Sequence, residues 1–396
     1  MSSIELIATA TFGLEAIVAQ EVKGLGYQKV LVENGKVTFA ADLNAICRTN
    51  LWLRTADRVR LKVGEFKATT FDELFEKTRA LPWPELIPAD ASFPVEGKSV
   101  KSTLFSVSDC QAIVKKAVVE SMKIKYQTPW FEEQGPVYKI EVALLKDMAT
   151  LTIDTSGPGL HKRGYRRIAS KAPIKETLAA AMILLSRWHP DTVLIDPFCG
   201  SGTIPIEAAM IGQNIAPGMN REFVSEKWPG IPKELWRQAR KETHDLARYH
   251  QPLEITGTDI DPEAVKIARH NAAEAGLDHI HFQSRSFAEI SSRKKYGKII
   301  CNPPYGQRIG ELKEIETMYQ EMGRVFSKLD TWSYYILSPH PNFEKLFGRP
   351  ATKKRKLYNG DLKVDYFQYF GPRPPKTRAE AGFKTAPAVS KKHPGL

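Results

Sequence analysis

Two kinds of apolar spacing divide the chain, and they change over near residue 155. The run IELIATA from Ile4 reads as a short strand; residues 13 to 24 then place Leu14, Ile17, Val18 and Val22 on one face of a helix closed by Gly24 and Gly26. Residues 30 to 32 and 37 to 39, joined by Asn34-Gly35, predict a hairpin. Residues 46 to 63 and 71 to 80 read as helical or mixed. LPWPELIP is broken by its prolines, residues 109 to 122 carry helical spacing, and strands are expected at 137 to 144 and 149 to 154. Ser156-Gly-Pro-Gly159 interrupts the pattern and marks a domain boundary between 155 and 165.

Beyond that point strands and helices alternate, the grammar of a doubly wound α/β sheet. Helix is expected at 173 to 187, starting at Pro173, with strand at 192 to 195, helix at 204 to 211, strand at 254 to 257 and helix at 262 to 275. Strands at 279 to 283 and 298 to 301, helix at 314 to 329, strand at 333 to 337 and a hairpin around Asn359-Gly360 follow. Residues 213 to 251 are polar and helical and read as an insertion. The Pro-rich, charged stretch after about residue 371 reads as a mobile tail.

Composition narrows the class. The 396 residues are 42% hydrophobic and 26% charged, enough to bury a core and too apolar for wholesale disorder. No run of about 18 apolar residues exists, and the first 20 residues lack the profile of a signal peptide, so a cytoplasmic chain with no membrane partner is expected. Cys47, Cys110, Cys199 and Cys301 are too far apart for a zinc site or a short disulfide framework, and no metal is expected. The net charge of +12 is concentrated at one end: residues 349 to 396 hold 12 Lys/Arg and 3 Asp/Glu, whereas residues 1 to 155 hold 19 and 20. Such a basic end favours a nucleic-acid partner.

Three clusters carry chemistry. DPFCGSGT, residues 196 to 203, follows an apolar strand and opens a helix. Gly200 and Gly202 permit a sharp turn with close ligand approach, and Asp196 stands at the strand's C-terminal end. The motif lacks the third glycine of a dinucleotide fingerprint and the Gly-Lys-Ser/Thr of a phosphate loop. Asp259, in TDID, ends the next strand and can accept hydrogen bonds from ribose hydroxyls; its other reading is a helix cap, a role expected of Asp261 instead. The third cluster, Asn302-Pro303-Pro304-Tyr305, follows a third apolar strand. Two prolines remove two donors and leave outward carbonyls, so Asn302 and a neighbouring carbonyl can accept both hydrogens of an exocyclic amine, while Tyr305 offers a face for base stacking.

In this order DPFCGSGT, TDID and NPPY resemble motifs I, II and IV of S-adenosylmethionine-dependent methyltransferases acting on amino groups. LHKRGYRR (160 to 167), APIKETLAAAMI (172 to 183), the Trp-containing insertion and KRKLYNG (354 to 360) resemble the RlmL-type guanine-N2 methyltransferases of large-subunit ribosomal RNA. The resemblance implies a Rossmann-like class I domain with a seven-stranded doubly wound sheet at 156 to 370. A ferredoxin-like segment at 1 to 43 and a THUMP RNA-binding domain at 44 to 155 would precede it, and a basic tail at 371 to 396 would follow.

The family pattern sets Asp196 and the turn Gly200, Ser201, Gly202 and Thr203 against the methionine part of S-adenosylmethionine and Asp259 at its ribose, with Phe198, Cys199 and Ile260 among the cofactor-binding residues. Asn302 and the Pro303 carbonyl would bind the guanine amine, and Tyr305 would stack on a flipped base. Lys162, Arg163, Arg166 and Arg167 offer phosphate contacts near the hinge, as do Lys353, Lys354, Arg355 and Lys356. The implied partner is large-subunit ribosomal RNA or a pre-ribosomal particle. Transfer RNA guanine-N2 methylation, adenine-N6 methylation and a non-catalytic RNA-binding assembly protein are the competing readings. Many relatives place an acidic residue at the next strand end for the cofactor's adenine; this chain reads Gln283-Ser-Arg-Ser-Phe-Ala-Glu289, and that contact has no assigned residue.

Overall fold

The computed structural model describes residues 3–166, 174–306 and 312–375. The chain forms two seven-stranded sheets. The first is built from β1 (Ile4–Ala10), β2 (Val30–Glu33), β3 (Lys36–Ala41), β4 (Ala56–Lys67), β5 (Val95–Val100), β6 (Ile140–Leu145) and β7 (Met148–Asp154), in the order β2-β3-β1-β4-β7-β6-β5. Only the β5–β6 pair is parallel. Helices α1 (Glu15–Gly24), α2 (Leu43–Trp52), α3 (Phe71–Arg79), α4 (Trp83–Leu86) and α5 (Val107–Tyr126) accompany it. Side-chain caps set the starts of α2 and α3: the Asp42 carboxylate accepts from the Ala45 amide at 3.1 Å, and the Thr70 hydroxyl from the Glu73 amide at 3.1 Å.

The stretch expected to be helical or mixed at 46 to 63 splits into the end of α2 and the start of β4, a twelve-residue strand that pairs with β1 on one side and β7 on the other. Its alternation was obscured by Arg58, Arg60 and Lys62, which pair with Asp154, Glu141 and Glu5 and so sit at sheet positions where sequence pattern suggests solvent.

The second sheet contains β8 (Leu194–Asp196), β9 (Ile255–Asp259), β10 (His281–Ser284), β11 (Lys298–Cys301), β12 (Ser333–Ser338), β13 (Lys353–Asn359) and β14 (Leu362–Tyr369), ordered β10-β9-β8-β11-β12-β14-β13. The first five strands run parallel; β14 is antiparallel to β12 and pairs Tyr334 with Tyr369. Helices α6 (Glu176–Ser186), α7 (Thr203–Gly212), α8 (Lys233–Leu246), α9 (Pro262–Glu274), α10 (Leu312–Phe326) and α11 (Phe343–Phe347) complete it. This is the doubly wound architecture expected from the alternation. The expected helix start at Pro173 lies outside the described residues; α6 begins at Glu176.

The insertion between α7 and β9 joins the two halves. Its Phe223, Trp228, Ile231, Trp236 and Ala239 are buried in the core of the N-terminal half. Trp228 stacks on Tyr138 with centroids 4.3 Å apart and donates from Nε1 to the Val137 carbonyl at 2.9 Å. Arg48 on α2 holds Glu242 on α8 through two 2.7 Å bonds. The segment is therefore a brace with an apolar inner side. Its many charges hide that side from a reading of composition.

Candidate active site

Asp196, Asp259 and Asn302 come together because β8, β9 and β11 are adjacent and parallel, so their C-terminal ends open into one crevice. The register pairs Leu194 with Ile255 and with Lys298, so the insertion leaves the strand ends aligned. At the first end, the chain turns through Gly200 (φ 51°) and Gly202 (φ 82°) into α7. A side chain at Gly202 would press on Ala268 and Phe282, whereas the position of a Cβ at Gly200 is open. The turn is tied down from behind: the Cys199 amide donates to the Thr258 carbonyl at 2.9 Å, and Asn271 Nδ2 donates to the Ser201 carbonyl at 3.0 Å. Ser201 and Thr203 are buried with their hydroxyls 3.4 Å apart.

The two acidic residues differ in setting. Asp196 is buried, accepts from the Phe198 amide at 3.1 Å, and has its pKa pushed well above the carboxylate range by desolvation, with nearby Asp259 adding to the shift. Asp259 Oδ2 accepts from the Gly200 amide at 2.9 Å and Oδ1 from the Asp261 amide at 3.0 Å. Each of its oxygens retains a second lone pair. Asp261 caps α9 by accepting from the Glu263 amide at 2.9 Å, as expected. Ile260, just past the strand end, is 77% exposed. An acceptor carboxylate, an open glycine turn and a bare apolar side chain fit a ligand bearing a ribose and a flat base. Phe198 lies beside Phe287, centroids 5.1 Å apart, and Cys199 is buried beneath the turn.

At the third strand end Pro303 is buried and Pro304 exposed. The Pro304 carbonyl accepts from the Tyr319 hydroxyl at 3.0 Å, and Tyr319 in turn is held by the Ser338 hydroxyl at 3.2 Å. Among the described residues the Pro303 carbonyl has no such partner. Tyr305 does not present a free face here: it packs against the sheet core and its hydroxyl donates to Asn302 Oδ1. Tyr319, Ser338 and Asn359, which bonds Tyr305, were missed by sequence reasoning. They lie in α10, β12 and β13, where nothing in their local pattern separates them from ordinary core or turn residues.

The basic residues separate. Arg163, expected to meet phosphate, is buried; it donates to Glu207 on α7 through Nε at 3.2 Å and Nη2 at 3.3 Å, and to the Leu160 and Arg54 carbonyls. A guanidinium so committed has no surface to offer RNA, so that expectation is corrected: Arg163 joins the two halves. Arg166 is mostly taken by Glu176 at 2.6 Å and by the Ile174 carbonyl at 3.1 Å. Arg167 lies outside the described residues. Lys162 is exposed at the rim of a cavity of about 610 Å³. The run 353 to 356 is not one patch, because β13 turns successive residues to opposite sides. Lys354 meets Glu344 at 3.3 Å on one side, with Lys356, while Lys353 and Arg355 face a cavity on the other. All four cysteines are free and buried, and no cluster of potential metal ligands occurs among the described residues. No helix among them is long and apolar enough to cross a membrane.

Comparison with known proteins follows the same lines. The RMKL-like methyltransferase domain matches residues 163–368, the RlmL ferredoxin-like domain residues 5–60 and the THUMP domain residues 68–154. The "Putative RNA methyltransferase YpsC" of Bacillus subtilis is 57% identical over 384 residues, covering 96% of this chain and 100% of that one. The ribosomal RNA large subunit methyltransferase K/L of Syntrophotalea carbinolica is 34% identical over 91% of this chain; the chain spans about half the length of such K/L enzymes, 52% in this case. A Listeria monocytogenes structure described as a predicted N6-adenine-specific DNA methylase superposes with a TM-score of 0.90 at 58% identity, covering 94% of this chain and 97% of that one. A methyltransferase structure complexed with SAH does so with a TM-score of 0.90 at 47% identity, covering 95% and 100%.

Proposed function

The chain belongs to the RMKL-like methyltransferase family, and from that premise we propose that it uses S-adenosylmethionine to methylate the exocyclic N2 amine of a guanine in large-subunit ribosomal RNA. The observation that carries the reading is the placement of Asn302 and the Pro303 carbonyl at the same crevice mouth as Asp259 and the Gly200 turn. When bound, the cofactor supplies a methyl group already activated on a sulfonium, so no strong base is needed. Asn302 Oδ1 and the Pro303 carbonyl accept the two amine hydrogens, orient the nitrogen lone pair and stabilise the positive charge that grows there. Asp259 would accept from the ribose hydroxyls, and Ile260 and the Gly200 to Thr203 turn would hold the rest of the cofactor. The Tyr305 hydroxyl donates to Asn302 Oδ1 and fixes the amide, leaving that oxygen's second lone pair for the amine. Lys162 and the lysines of β13 contact phosphates.

The acceptor pair suits any exocyclic amine, and the Listeria relative's description favours adenine N6 as the second reading. Transfer of labelled methyl to unmodified large-subunit ribosomal RNA and to bulk transfer RNA, followed by nucleoside analysis, tests both. N2-methylguanosine in ribosomal RNA alone is the expected product. The same nucleoside in transfer RNA alone would move the substrate, N6-methyladenosine would replace the base, and no labelled nucleoside from either RNA would overturn the reading.

A further inference from the structure

A cavity of about 1070 Å³ lies where β8, β11 and β12 begin, lined by Val193, Lys298 and Ser333, at the opposite end of the sheet from Asp196, Asp259 and Asn302. The separation is roughly 13 Å or more, the rise of a four-residue strand. One wall comes from the N-terminal half through Ala16, Ile17 and Gln20 of α1. The rest is strongly basic: Arg187, Lys294, Lys295 and Lys298 are joined by Lys353 and Arg355 of β13 and by Arg373, against only Asp191 and Glu254.

Glu254 is held by Lys294 at 2.9 Å, and Asp191 is largely exposed beside His189. Arg187, Lys295, Lys353 and Arg355 form no ion pair with another described residue, and the first three are exposed. Lys298 donates to the Ser186 and Arg187 carbonyls at 2.6 and 2.7 Å, and burial with Arg187 beside it presses its pKa down to about 8; the basic residues of the lining still outnumber its two acids. Such an arrangement attracts polyanions. The aromatic content then selects among them: Phe370 lines the same cavity with half its surface, 52%, exposed, a platform for a base that a bare phosphate has no use for.

We propose that this cavity grips the sugar–phosphate backbone of the RNA substrate, with Phe370 against an unpaired base, at a second contact remote from methyl transfer. The inference rests on the RNA reading above and deepens it: a substrate that reaches both ends of the sheet must extend past the target nucleotide, so backbone on its flank contributes to binding. The cavity also explains how a near-neutral N-terminal half takes part in binding, since α1 shapes the wall while the catalytic half brings the charge.

The test compares the wild-type chain with R187E/K295E, the milder R187Q/K295Q and F370A, measuring affinity for large-subunit ribosomal RNA across a salt series. Charge reversal is expected to weaken long-RNA binding at least tenfold at about 0.15 M salt and to lower the log–log salt slope by roughly 1.4 to 1.8, two phosphate contacts' worth. The glutamine pair should do so in the same direction, and F370A should weaken binding with little change of slope. S-adenosylmethionine affinity within twofold of wild type reports that the variants fold. Unchanged long-RNA affinity and slope in both double variants would overturn the proposal. So would saturable binding of inorganic phosphate or a mononucleotide that the double variants abolish, which would make the cavity a small-anion site. Because binding is read without turnover, a chain that methylates neither RNA class refutes the reading of function while this comparison still decides the cavity.

Discussion

The two seven-stranded sheets have equal strand counts and opposite consequences. In the N-terminal sheet all neighbours but β5 and β6 are antiparallel, so strand ends and their loops alternate between the two edges. In the catalytic sheet five consecutive strands are parallel, and Asp196, Asp259 and Asn302 emerge on one side within a crevice. Convergence of polar groups thus follows from strand direction more than from strand number. The charge pattern repeats the contrast: the first half is nearly neutral and several of its cations are spent in pairs across the sheet, such as Arg60 with Glu141 and Arg58 with Asp154, while the second leaves basic side chains without an ion pair among the described residues at its far end.

Four changes would break or sharpen that contrast. The largest effect on chemistry is expected from Asn302→Ala, which removes the acceptor at the third strand end: methyl transfer should fall at least a thousandfold, about 4 kcal/mol. S-adenosylmethionine affinity, read by calorimetry, should stay near wild type. Equal loss of both would remove Asn302 from amine binding.

Next is the joint between the halves. Arg163→Met leaves Glu207 buried without its cation and should cost about 3–5 kcal/mol of unfolding free energy in denaturant titration. Arg163→Met combined with Glu207→Met should recover much of that, because neither charge is then stranded; a double variant as unstable as the single one would show that the carbonyl contacts to Arg54 and Leu160 matter more. Asp259→Ala should weaken S-adenosylmethionine binding about 10- to 100-fold, since it removes the ribose acceptor and frees the Gly200 amide. Undiminished cofactor affinity would leave Asp259 as a tie for the turn alone.

The smallest effect concerns Glu176, whose pKa burial pushes up from 4.5 to about 7 against the opposing pull of Arg166. Its folded-state value is the higher one, so the folded chain binds more protons between the two values and stability falls as pH rises from about 4.5 to about 7. Glu176→Gln should flatten that stretch of the stability profile. A slope identical to wild type would assign the pH dependence to other groups.

Strand, helix and hairpin patterns at 30 to 39, 109 to 122, 192 to 211 and 298 to 301 were legible because local turn chemistry and apolar spacing agree there. β4 was not, because its ion pairs are made with residues of β1, β6 and β7 that no local window contains. The brace between α7 and β9 was seen only as an interruption. Its Trp228 and Trp236 look like isolated aromatics among charges until Tyr138 and the N-terminal core are set against them.

The sequence by itself determined the motifs at the strand ends, the alternation that makes the second sheet doubly wound, and the cap role of Asp261. These are short-range matters, set by residue type and spacing within a few positions. Tertiary structure alone decided the fate of the cations. Arg163 and Lys162 are neighbours in one basic run, yet one is buried on Glu207 and the other faces solvent; Arg187, Lys295 and Lys353, far apart in the chain, line one cavity. Charge acts through space and through the local degree of burial, and neither can be read from order along the chain.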